Sequence, residues 1–420
     1  MNLNGKFIAG TIASWIAIAS IHYFQPFVDQ SQKKTSDDDP CFSNPICRPK
    51  PSEAGLWGYI DPNGRTIIAS RFNKAGQFSC GRSIVGPKNQ CDGNHQQIID
   101  KAGRVVNDRT FYCLGEFREG LAGCSRLNYS ASEDFEKMAP HEAGVKLGNT
   151  YTFVDGDGNL LPFELKAFPS DFSHGKALVS FADKMVTLIH RDGSIIKNIE
   201  NIYHNEGEWA YNRLPIKSAD DPLNVKYGFI DENGNVVIPP TFAKARTFHD
   251  GLAAVELVSR TPTGQKEGWG FIDTKGVLKF RTKAASANDF SEGRLVFRNS
   301  SGYGFLDTSG HVVIQPNYQY AFSFHEGLAS CRTKDDRSVY IDRQGKVQLE
   351  ANYPYCSDFH EGLARIRTKE GLCGYINTQN KLVIRPEYTD GESFSEGLAA
   401  VKFVKRKWFF FFLNLPLGVG

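Results

Sequence analysis

The sequence predicts an all-β protein built from tandem three-stranded repeats, about nine of them, preceded by one N-terminal apolar helix. Three observations predict this class. The chain has 40 Gly against only 3 Met, which is typical of proteins with many tight turns. The letters FHEGLA begin at Phe324 and again at Phe359, and FSEGLA begins at Phe394. A unit of about 35 residues buries too little surface to be stable alone, so the copies must stack on one another.

Residues 1–28 are predicted to be a signal peptide or a membrane anchor. The stretch from Phe7 to Phe24 has no formal charge, and its 18 residues are at the lower limit for a helix that spans a bilayer. Ala17-Ile18-Ala19 is a small-residue site that a signal peptidase could cut. Cleavage and retention both stay open, and a buried core helix is the third alternative. Residues 29–54 are polar and proline-bearing, which predicts a flexible linker.

Cysteine usage supports export. The chain has nine Cys, and six of them precede residue 125, as is typical of proteins in oxidising compartments. Three candidate disulfides would close short loops, although proximity in sequence does not fix connectivity: Cys41/Cys47, Cys80/Cys91 and Cys113/Cys124. Zinc is the competing interpretation, but no C-x2-C pair exists. We therefore expect a periplasmic or extracellular protein, or one that is anchored in the inner membrane.

Two signatures alternate across residues 55–404, the predicted repeat domain. The first consists of an aromatic residue, a second residue that is usually Gly, two apolar residues, and an Asp that opens a turn ending in Gly. Its clearest copies are Trp57, Gly58, Asp61 and Gly64; Tyr227, Gly228, Asp231 and Gly234; Trp269, Gly270, Asp273 and Gly276; and Tyr303, Gly304, Asp307 and Gly310. The second is F-x-x-G-x-A, and its clearest copies are Phe324 and Gly327, Phe359 and Gly362, and Phe394 and Gly397.

The distance between the two signatures is constant. It is twenty residues in eight copies: Asp61/Gly81, Asp100/Gly120, Asp155/Gly175, Asp231/Gly251, Asp273/Gly293, Asp307/Gly327, Asp342/Gly362 and Asn377/Gly397. Insertions fall only after the second signature and before the next aromatic residue, which predicts that one class of surface loop carries all the variation. The fourth copy, near Thr187, has NEGEWA where the second signature is expected, and we expect it to have lost its second half.

Each unit is expected to form three short strands. The first ends in the Asp turn, and a strand such as VVIPP pairs back on it as a hairpin. Pro240, Pro316 and Pro386 are expected to end this second strand, because proline cannot donate to a ladder. The Phe of the second signature then enters the core, the acidic-Gly pair reverses the chain, and a segment such as LAAV forms the third strand.

An acidic residue precedes the Gly of the second signature in most copies: Glu119, Asp250, Glu292, Glu326, Glu361 and Glu396. In a narrow β-helix these like charges would stack about 4.8 Å apart, which is unfavourable. The sequence therefore favours a propeller-like ring or an open superhelical array and does not separate the two. His249, His325 and His360 precede these acids, but the same position accepts Ser and Arg. It is therefore predicted to be a solvated turn position and not a metal ladder.

These signatures resemble the bacterial WG-repeat family, also written KWG, named for the Trp-Gly pair found at Trp57-Gly58 and Trp269-Gly270. The resemblance covers about Trp57 to Val404 and implies an all-β repeat array with no particular chemistry. Ser338-Val339 and Cys373-Gly374 depart from the pattern. Residues 405–420 begin in register at Trp408, and we interpret them as a truncated tenth repeat or an irregular tail.

The sequence carries no G-x-S-x-G, P-loop or HExxH motif. DGDGN at Asp155 resembles a calcium loop, but Lys166 stands where the loop needs a bidentate Glu. The 49 basic and 47 acidic residues form no long block, which argues against nucleic acid as a partner. We expect no enzyme activity, no cofactor and no bound metal.

The expected function is a non-enzymatic, exported or membrane-anchored scaffold that binds a protein or a cell-envelope polymer through its variable loops, residues 128–149 and 259–268 first. The alternative is a propeller-like hydrolase or lyase with a site near the degenerate fourth repeat, at His204, Glu206, Glu208 and Trp209. A third interpretation, polysaccharide binding, needs the rings of Trp57, Trp269 and Tyr227 to face solvent, and we expect them to pack.

Overall fold

The protein is described by a computed structural model, which covers residues 54–87, 96–107, 109, 111, 114–126, 150–182, 185–204, 208–218, 225–258, 266–282 and 288–404. All of these residues lie in strands, turns or loops. This part of the chain contains no helix that is long and apolar enough to cross a membrane. The predicted N-terminal helix, most of the predicted linker and the tail lie outside the described residues.

The strands are numbered in chain order. The first fourteen are β1 (Ala54–Ile60), β2 (Thr66–Ala75), β3 (Arg82–Pro87), β4 (Gln97–Asp100), β5 (Leu121–Arg126), β6 (Thr150–Asp155), β7 (Lys176–Ala182), β8 (Met185–His190), β9 (Ile195–Glu200), β10 (Ile202–His204), β11 (Leu214–Ser218), β12 (Tyr227–Ile230), β13 (Val236–Phe242) and β14 (Lys244–His249).

The other strands are β15 (Leu252–Val258), β16 (Lys266–Asp273), β17 (Leu278–Thr282), β18 (Leu295–Asn299), β19 (Gly302–Leu306), β20 (Val312–Tyr318), β21 (Tyr320–Ala321), β22 (Ala329–Arg332), β23 (Ser338–Ile341), β24 (Val347–Ala351), β25 (Tyr355–His360), β26 (Leu363–Arg367), β27 (Cys373–Asn377), β28 (Leu382–Gly391) and β29 (Ala399–Val404).

Away from the junction between the last and the first repeat, each sheet combines halves of two successive repeats. The strand after one second signature pairs antiparallel with the strand of the next first signature, as β15 does with β16 and β26 with β27. The strand after the Asp turn forms one edge of the sheet, as β17 does beside β16. The strand that carries the signature Phe forms the other edge, as β14 does beside β15. We call each such sheet a blade. Each repeat has the predicted strands, but the strand after the second signature pairs with the first strand of the next repeat.

The last repeat pairs with the first. β29 pairs antiparallel with β1, with Gly58 opposite Val401 and Ile60 opposite Ala399. A nine-stranded sheet therefore runs across this junction in the order β25-β26-β27-β28-β29-β1-β2-β3-β4. Residues 54–404 thus close on themselves as a propeller-like ring, which decides between the two arrangements that the sequence left open. In the described residues every strand that follows a second signature has its first-signature partner.

In seven repeats an aromatic contact joins consecutive blades. The residue two positions after the start of the first signature is aromatic there, and it packs on the Phe of the second signature with ring centroids 4.6–5.3 Å apart; such pairs add about 0.5–1.5 kcal/mol beyond burial. The pairs are Tyr59/Phe78, Phe153/Phe172, Phe229/Phe248, Phe271/Phe290, Phe305/Phe324, Tyr340/Phe359 and Tyr375/Phe394. Because the two rings lie in neighbouring blades, a change in the number of residues between them would misplace one. This contact explains the constant spacing of the two signatures.

The prolines of the second strand do not end it. β13, β20 and β28 continue through Pro240, Pro316 and Pro386. The ladder of each strand shifts register near its proline. Proline is tolerated there because a bulge leaves its nitrogen out of the ladder.

The fourth repeat keeps its second half, contrary to the prediction. Ala210 and Arg213 exchange two backbone hydrogen bonds, as Ser79 and Arg82 do in the first repeat. Between them Tyr211 and Asn212 are left-handed, with φ of 53° and 57°, and β11 follows. The turn was missed because its residues differ and its spacing is two residues longer, 212 − 190 = 22, counted from His190 in the Asp position.

Candidate interaction surface

The strand directions place all the long insertions at one edge of the ring. They fall between β3 and β4, β5 and β6, β11 and β12, and β15 and β16, and each of these pairs is antiparallel. At the same edge of other blades the connection is a tight turn, as at Thr333 and Thr368. We call this edge the loop edge. The loops themselves lie outside the described residues, but the strands fix where they leave the blades.

The opposite edge, which we call the turn edge, carries both signature turns of every described repeat. In eight of these repeats the Asp or Asn of the first signature accepts N–H donors two and four residues later through its Oδ1 atom, at 2.8–3.0 Å. The residue that ends each turn is left-handed: it is Gly in seven of the eight, with φ of 75–83° at Gly64, Gly234, Gly276 and Gly310, and Asn380 in the ninth repeat, with φ of 60°. Because these residues form the same turn in eight repeats, their role here is to shape the backbone.

The acidic residues of the second signature link successive repeats. Each is left-handed, with φ of 49–54°, and its carboxylate accepts the backbone N–H of the corresponding turn in the next repeat at 2.6–3.0 Å. The donors and acceptors are Gly175 to Glu119, Gly293 to Asp250, Gly327 to Glu292, Gly362 to Glu326, Gly397 to Glu361 and Gly81 to Glu396. We call this series the carboxylate circuit. Cys80 takes the acidic position in the first repeat, and its Sγ accepts the N–H of Gly120 at 3.3 Å.

The link from Glu396 to Gly81 spans the junction between the last and the first repeat. Burial acts to raise the pKa of Glu396, but the N–H donors of Gly81 and Cys80 and the ammonium of Lys101 outweigh it and hold that pKa below its usual range. Ser395 adds a second link, because its hydroxyl donates to the carbonyl of Phe78 at 2.7 Å. The junction is therefore built from the same contacts as the rest of the ring.

Basic side chains on the turn edge link repeats that are two apart in the chain. The residue after the signature Gly donates to the Asp turn two repeats ahead, at 2.5–3.0 Å, in four repeats: Arg82 to Gly156, Lys176 to Glu232, Arg213 to Thr274 and Arg294 to Arg343. The turn edge thus uses much of its polar surface for contacts within the ring.

The signature aromatics pack, as expected. Trp269 is buried. Trp57 and Tyr227 are half-buried, and each lies beneath a lysine of the paired strand, Lys402 at 5.9 Å and Lys217 at 5.8 Å from the ring centroid. The signature Phe residues 324, 359 and 394 are all buried. The polysaccharide interpretation required exposed rings, so this arrangement does not favour it.

Of the six cysteines in the candidate disulfides, two belong to the described residues. Cys80 is exposed in the turn of the first repeat and Cys124 is buried in β5. The remaining four, Cys41, Cys47, Cys91 and Cys113, lie outside the described residues, so the three pairings stay predictions.

The fourth repeat contributes to a polar cluster formed by three successive repeats. Arg118 binds Glu208 at 3.0 Å and Glu116 at 3.5 Å, and its Nε lies 4.0 Å from Asp171. Burial raises the pKa of Asp171 to about 6; Arg118 opposes this rise, and Glu208 and Glu116 add to it. Trp209 occupies the position that the signature Phe has in the other repeats, and it is buried. The side chains of His204 and Glu206 lie outside the described residues.

Sequence reasoning nominated Glu208 but missed Glu116, Arg118 and Asp171. The sequence does contain a signal for this cluster. The residue directly before the Phe or Trp of the second signature is acidic in several repeats: Glu116, Asp171, Glu208, Asp289 and Asp358. No group of three or more His, Cys, Asp and Glu side chains suited to a metal occurs in the part of the chain that the structure describes. Among the described residues the cluster contains one cation and three carboxylates, so we expect its stability to depend on pH.

Asp171→Asn is expected to stabilise the protein by about 1 kcal/mol at pH 7.5, a value reduced for the partial exposure of this carboxyl. A pKa raised in the folded state makes the contribution of Asp171 favourable at low pH, and that contribution is lost as pH rises through about 6. The substitution should therefore have little effect at pH 4. Urea unfolding of both proteins at the two pH values measures the difference, and an equal effect at both would contradict the prediction.

Asp289→Asn is the matched control for this measurement. Asp289 also directly precedes the signature Phe, and among the described residues it has one close cation, Arg246, at 2.8 Å. Its replacement removes an ion pair without relieving a crowded group of carboxylates, so no stabilisation is expected at pH 7.5.

Comparison with known proteins supports the repeat assignment. A family model described as WG containing repeat matches residues 57–86, 227–257, 303–333, 340–373 and 374–408. No curated protein matches the chain. Among solved structures, one titled as the crystal structure of the eukaryotic initiation factor aligns with a TM-score of 0.51 at 12% identity, covering 83% of this chain and 98% of that chain. At this identity the likeness concerns the fold alone.

The crystal structure of BamB from Moraxella catarrhalis also aligns, with a TM-score of 0.39 and 9% identity, covering 79% of this chain and 96% of that one. A TM-score this low supports no conclusion about function. The second, third, fourth and sixth repeats are not matched by the family model, yet they contribute strands to the same ring.

Proposed function

Because the chain is a WG-repeat protein, with five repeats matched by the family model, we propose that it is a non-enzymatic scaffold, exported or membrane-anchored, that binds a protein or a cell-envelope polymer through its loop edge. The observation that carries this proposal is the difference between the two edges of the ring. All long insertions leave the blades at the loop edge, while the turn edge uses its polar groups for links between repeats.

The position of the insertions supports binding at that edge. All four insertions begin and end at the same edge of the ring, where their lengths can vary without disturbing the packed repeat interior. The longest stretch, residues 127–149, connects Arg126 and Thr150, which are paired directly across β5 and β6. A ladder closed in this way tolerates changes in the connecting loop, because the aromatic contacts between blades lie elsewhere.

Export rests on the N-terminal sequence. The uncharged stretch from Phe7 to Phe24 and the cysteines before residue 125 are typical of an exported chain. If the stretch is retained, it supplies contact with the membrane. Cell fractionation of the tagged protein tests this part of the proposal, and recovery in the cytosol would contradict it.

Deleting residues 131–145 is expected to abolish binding while leaving the fold intact. The partner is first recovered by crosslinking the tagged full-length chain in cells, and binding of the purified pair is then measured. The shortened loop still bridges the paired ends of β5 and β6, so far-UV circular dichroism and the melting temperature should stay close to those of the unaltered chain.

The control for the deletion is Thr308→Glu, which changes an exposed residue of the turn edge. This variant should bind the recovered partner normally. Normal binding by the loop deletion, together with weak binding by Thr308→Glu, would place the contact on the turn edge and contradict the proposal.

A hydrolase or lyase with its site near the fourth repeat is the second candidate. The observation that favours it is the carboxyl of Asp171, which has a pKa of about 6 and lies beside Arg118, close to Glu208. A carboxyl with this pKa suits general acid or base catalysis. Loss of a hydrolytic or lyase activity in Asp171→Asn, with the fold retained, would support this candidate over the scaffold.

A further inference from the structure

The carboxylate circuit lacks an acid in two successive repeats. His174 stands in the acidic position of the third repeat and Tyr211 in that of the fourth. The turns that these residues would serve are Tyr211-Asn212 and Asp250-Gly251. In the described residues no side chain accepts a hydrogen bond from the backbone N–H groups of these two turns, whereas the turn at His174-Gly175 receives Glu119 at 2.6 and 2.9 Å.

The two turns have the same backbone conformation as those that bind a carboxylate. Tyr211 and Asn212 have φ of 53° and 57°, and Asp250 and Gly251 have φ of 49° and 79°. In the occupied turn at Glu361-Gly362 the values are 54° and 74°, and both N–H groups donate to Glu326, at 2.6 and 2.9 Å. Successive left-handed residues direct their N–H groups to one point and form an anion-binding concavity. The other repeats show that the anion this geometry takes is a carboxylate.

Charge and exposure favour an external ligand at these turns. The guanidinium of Arg213 donates to the carbonyl of Asn212 at 2.8 Å, which places a cation beside the first turn. The carboxylate of Asp250 already accepts the N–H of Gly293 at 2.6 Å, so its charge is partly satisfied. Tyr211 is 52% exposed. Asn212 and Asp250 are also exposed and Gly251 is half-buried, so both turns lie at the surface, and Arg213 adds to the attraction of the first turn for an anion.

We propose that the turns at Tyr211-Asn212 and Asp250-Gly251 form a carboxylate-binding site on the turn edge, which takes two acidic side chains of a protein partner. Within the ring, Glu326 and Glu361 already supply successive repeats with one carboxylate each. An acidic peptide segment laid across the fourth and fifth repeats would supply the two carboxylates that His174 and Tyr211 do not. This site is separate from the loop edge.

The first test is a titration of the unaltered, ¹⁵N-labelled protein with sodium glutarate, a dicarboxylate. The amide signals of Asn212 and Gly251 should shift in a saturable way. The amides of Gly327 and Gly362 are internal controls, because they already donate to Glu292 and Glu326, and their signals should stay in place. Equal shifts at all four glycine and asparagine amides, or no shift at any of them, would overturn the proposal.

The second test fills the site with the chain's own carboxylates. His174→Glu/Tyr211→Glu restores an acid in each repeat, and it should weaken binding of a labelled Glu-Ser-Glu-Ser-Glu peptide with an amidated C-terminus by about tenfold or more. The same variant should melt at a higher temperature than the unaltered chain, because the circuit gains two links. Binding that is unchanged in this variant would contradict the proposal.

Matched controls separate the site from bulk charge and from the loops. Thr308→Glu/Gln344→Glu adds two charges to exposed positions of the turn edge and should bind the peptide normally. A Gln-Ser-Gln-Ser-Gln peptide with an amidated C-terminus should not bind, and binding of it equal to that of the acidic peptide would contradict the proposal. The variant that lacks residues 131–145 should bind the acidic peptide normally, so failure of this site is distinguishable from failure of the loop-edge proposal.

Discussion

Tyr59→Ala is expected to lower the free energy of unfolding by about 3–5 kcal/mol and to loosen both ends of the repeat domain together. Tyr59 is fully buried, in a core that contains Phe72 and Phe78 of the first repeat and Leu398 and Ala400 of the last. Its hydroxyl donates to the carbonyl of Gly76 at 2.9 Å and lies 2.7 Å from Ser83. The substitution therefore leaves a cavity at the junction where β1 meets β29.

Hydrogen exchange measured by mass spectrometry checks the second part of this expectation. In Tyr59→Ala, exchange should accelerate in residues 54–60 and also in residues 399–404, at the far end of the chain. If exchange accelerates in the first repeat alone, the pairing of β1 with β29 does not hold the ring closed.

Tyr340→Ala is the matched control. Tyr340 occupies the same position in the eighth repeat, is equally buried, donates its hydroxyl to the carbonyl of Ser357 at 2.7 Å, and packs on Phe359 at 4.7 Å. A similar loss of stability is expected, but residues 399–404 should stay protected. Tyr59→Phe, which removes the hydroxyl alone, should cost about 1 kcal/mol.

Gly228→Ala is expected to destabilise the protein by about 2–3 kcal/mol, because the added methyl group would overlap backbone atoms. A Cβ built at Gly228 would lie 2.4 Å from the carbonyl oxygen of Ile238 and 2.7 Å from the nitrogen of Pro240. These atoms belong to the bulge of β13 and cannot rotate away as a side chain could. Urea unfolding measures the loss of stability.

Gly175→Ala separates this steric effect from backbone strain. Gly175 is left-handed, with φ of +71°, but a Cβ there would meet no atom within 4 Å. The cost should be about 1–2 kcal/mol, from conformation alone. Equal losses at the two positions would show that close approach of the backbone does not explain the glycine of the first signature.

The elements that could be predicted from the sequence are those fixed by local chemistry. Asp and Gly at fixed spacing define the turn of the first signature, and Phe before an acidic-Gly pair defines that of the second. The positions of the insertions predicted that one edge of the array carries them. Each of these conclusions depends on a residue type at a given offset, which is visible in a single chain.

The pairing between repeats could not be predicted in the same way. A strand such as β15 has the same alternation whether it pairs within its own unit or with the next, so its partner is a property of the assembled ring. Tyr211-Asn212 was missed for a related reason. Its left-handed turn is held by backbone hydrogen bonds and not by the usual residue types.

The hydrogen bonds of the carboxylate circuit could not be predicted from the sequence either. The acidic column was interpreted as a set of turn residues, which is correct for the backbone of Glu361 and Glu396. The contact of each carboxylate with the next repeat depends on the distance between neighbouring turns, and that distance is fixed only when the ring closes. Asp171 and Arg118 came together for the same reason.

The pairing of Ile60 with Ala399 has a consequence for biosynthesis. Translation at about 5–20 residues per second takes roughly 20 to 70 s to cover the residues between them. During that time β1 has left the ribosome without its partner, while other first-signature strands emerge soon after theirs. An unpaired strand edge can add to the edges of other chains. We therefore expect the N-terminal strand of a nascent chain to be open to pairing with other chains until the last repeat has been synthesised.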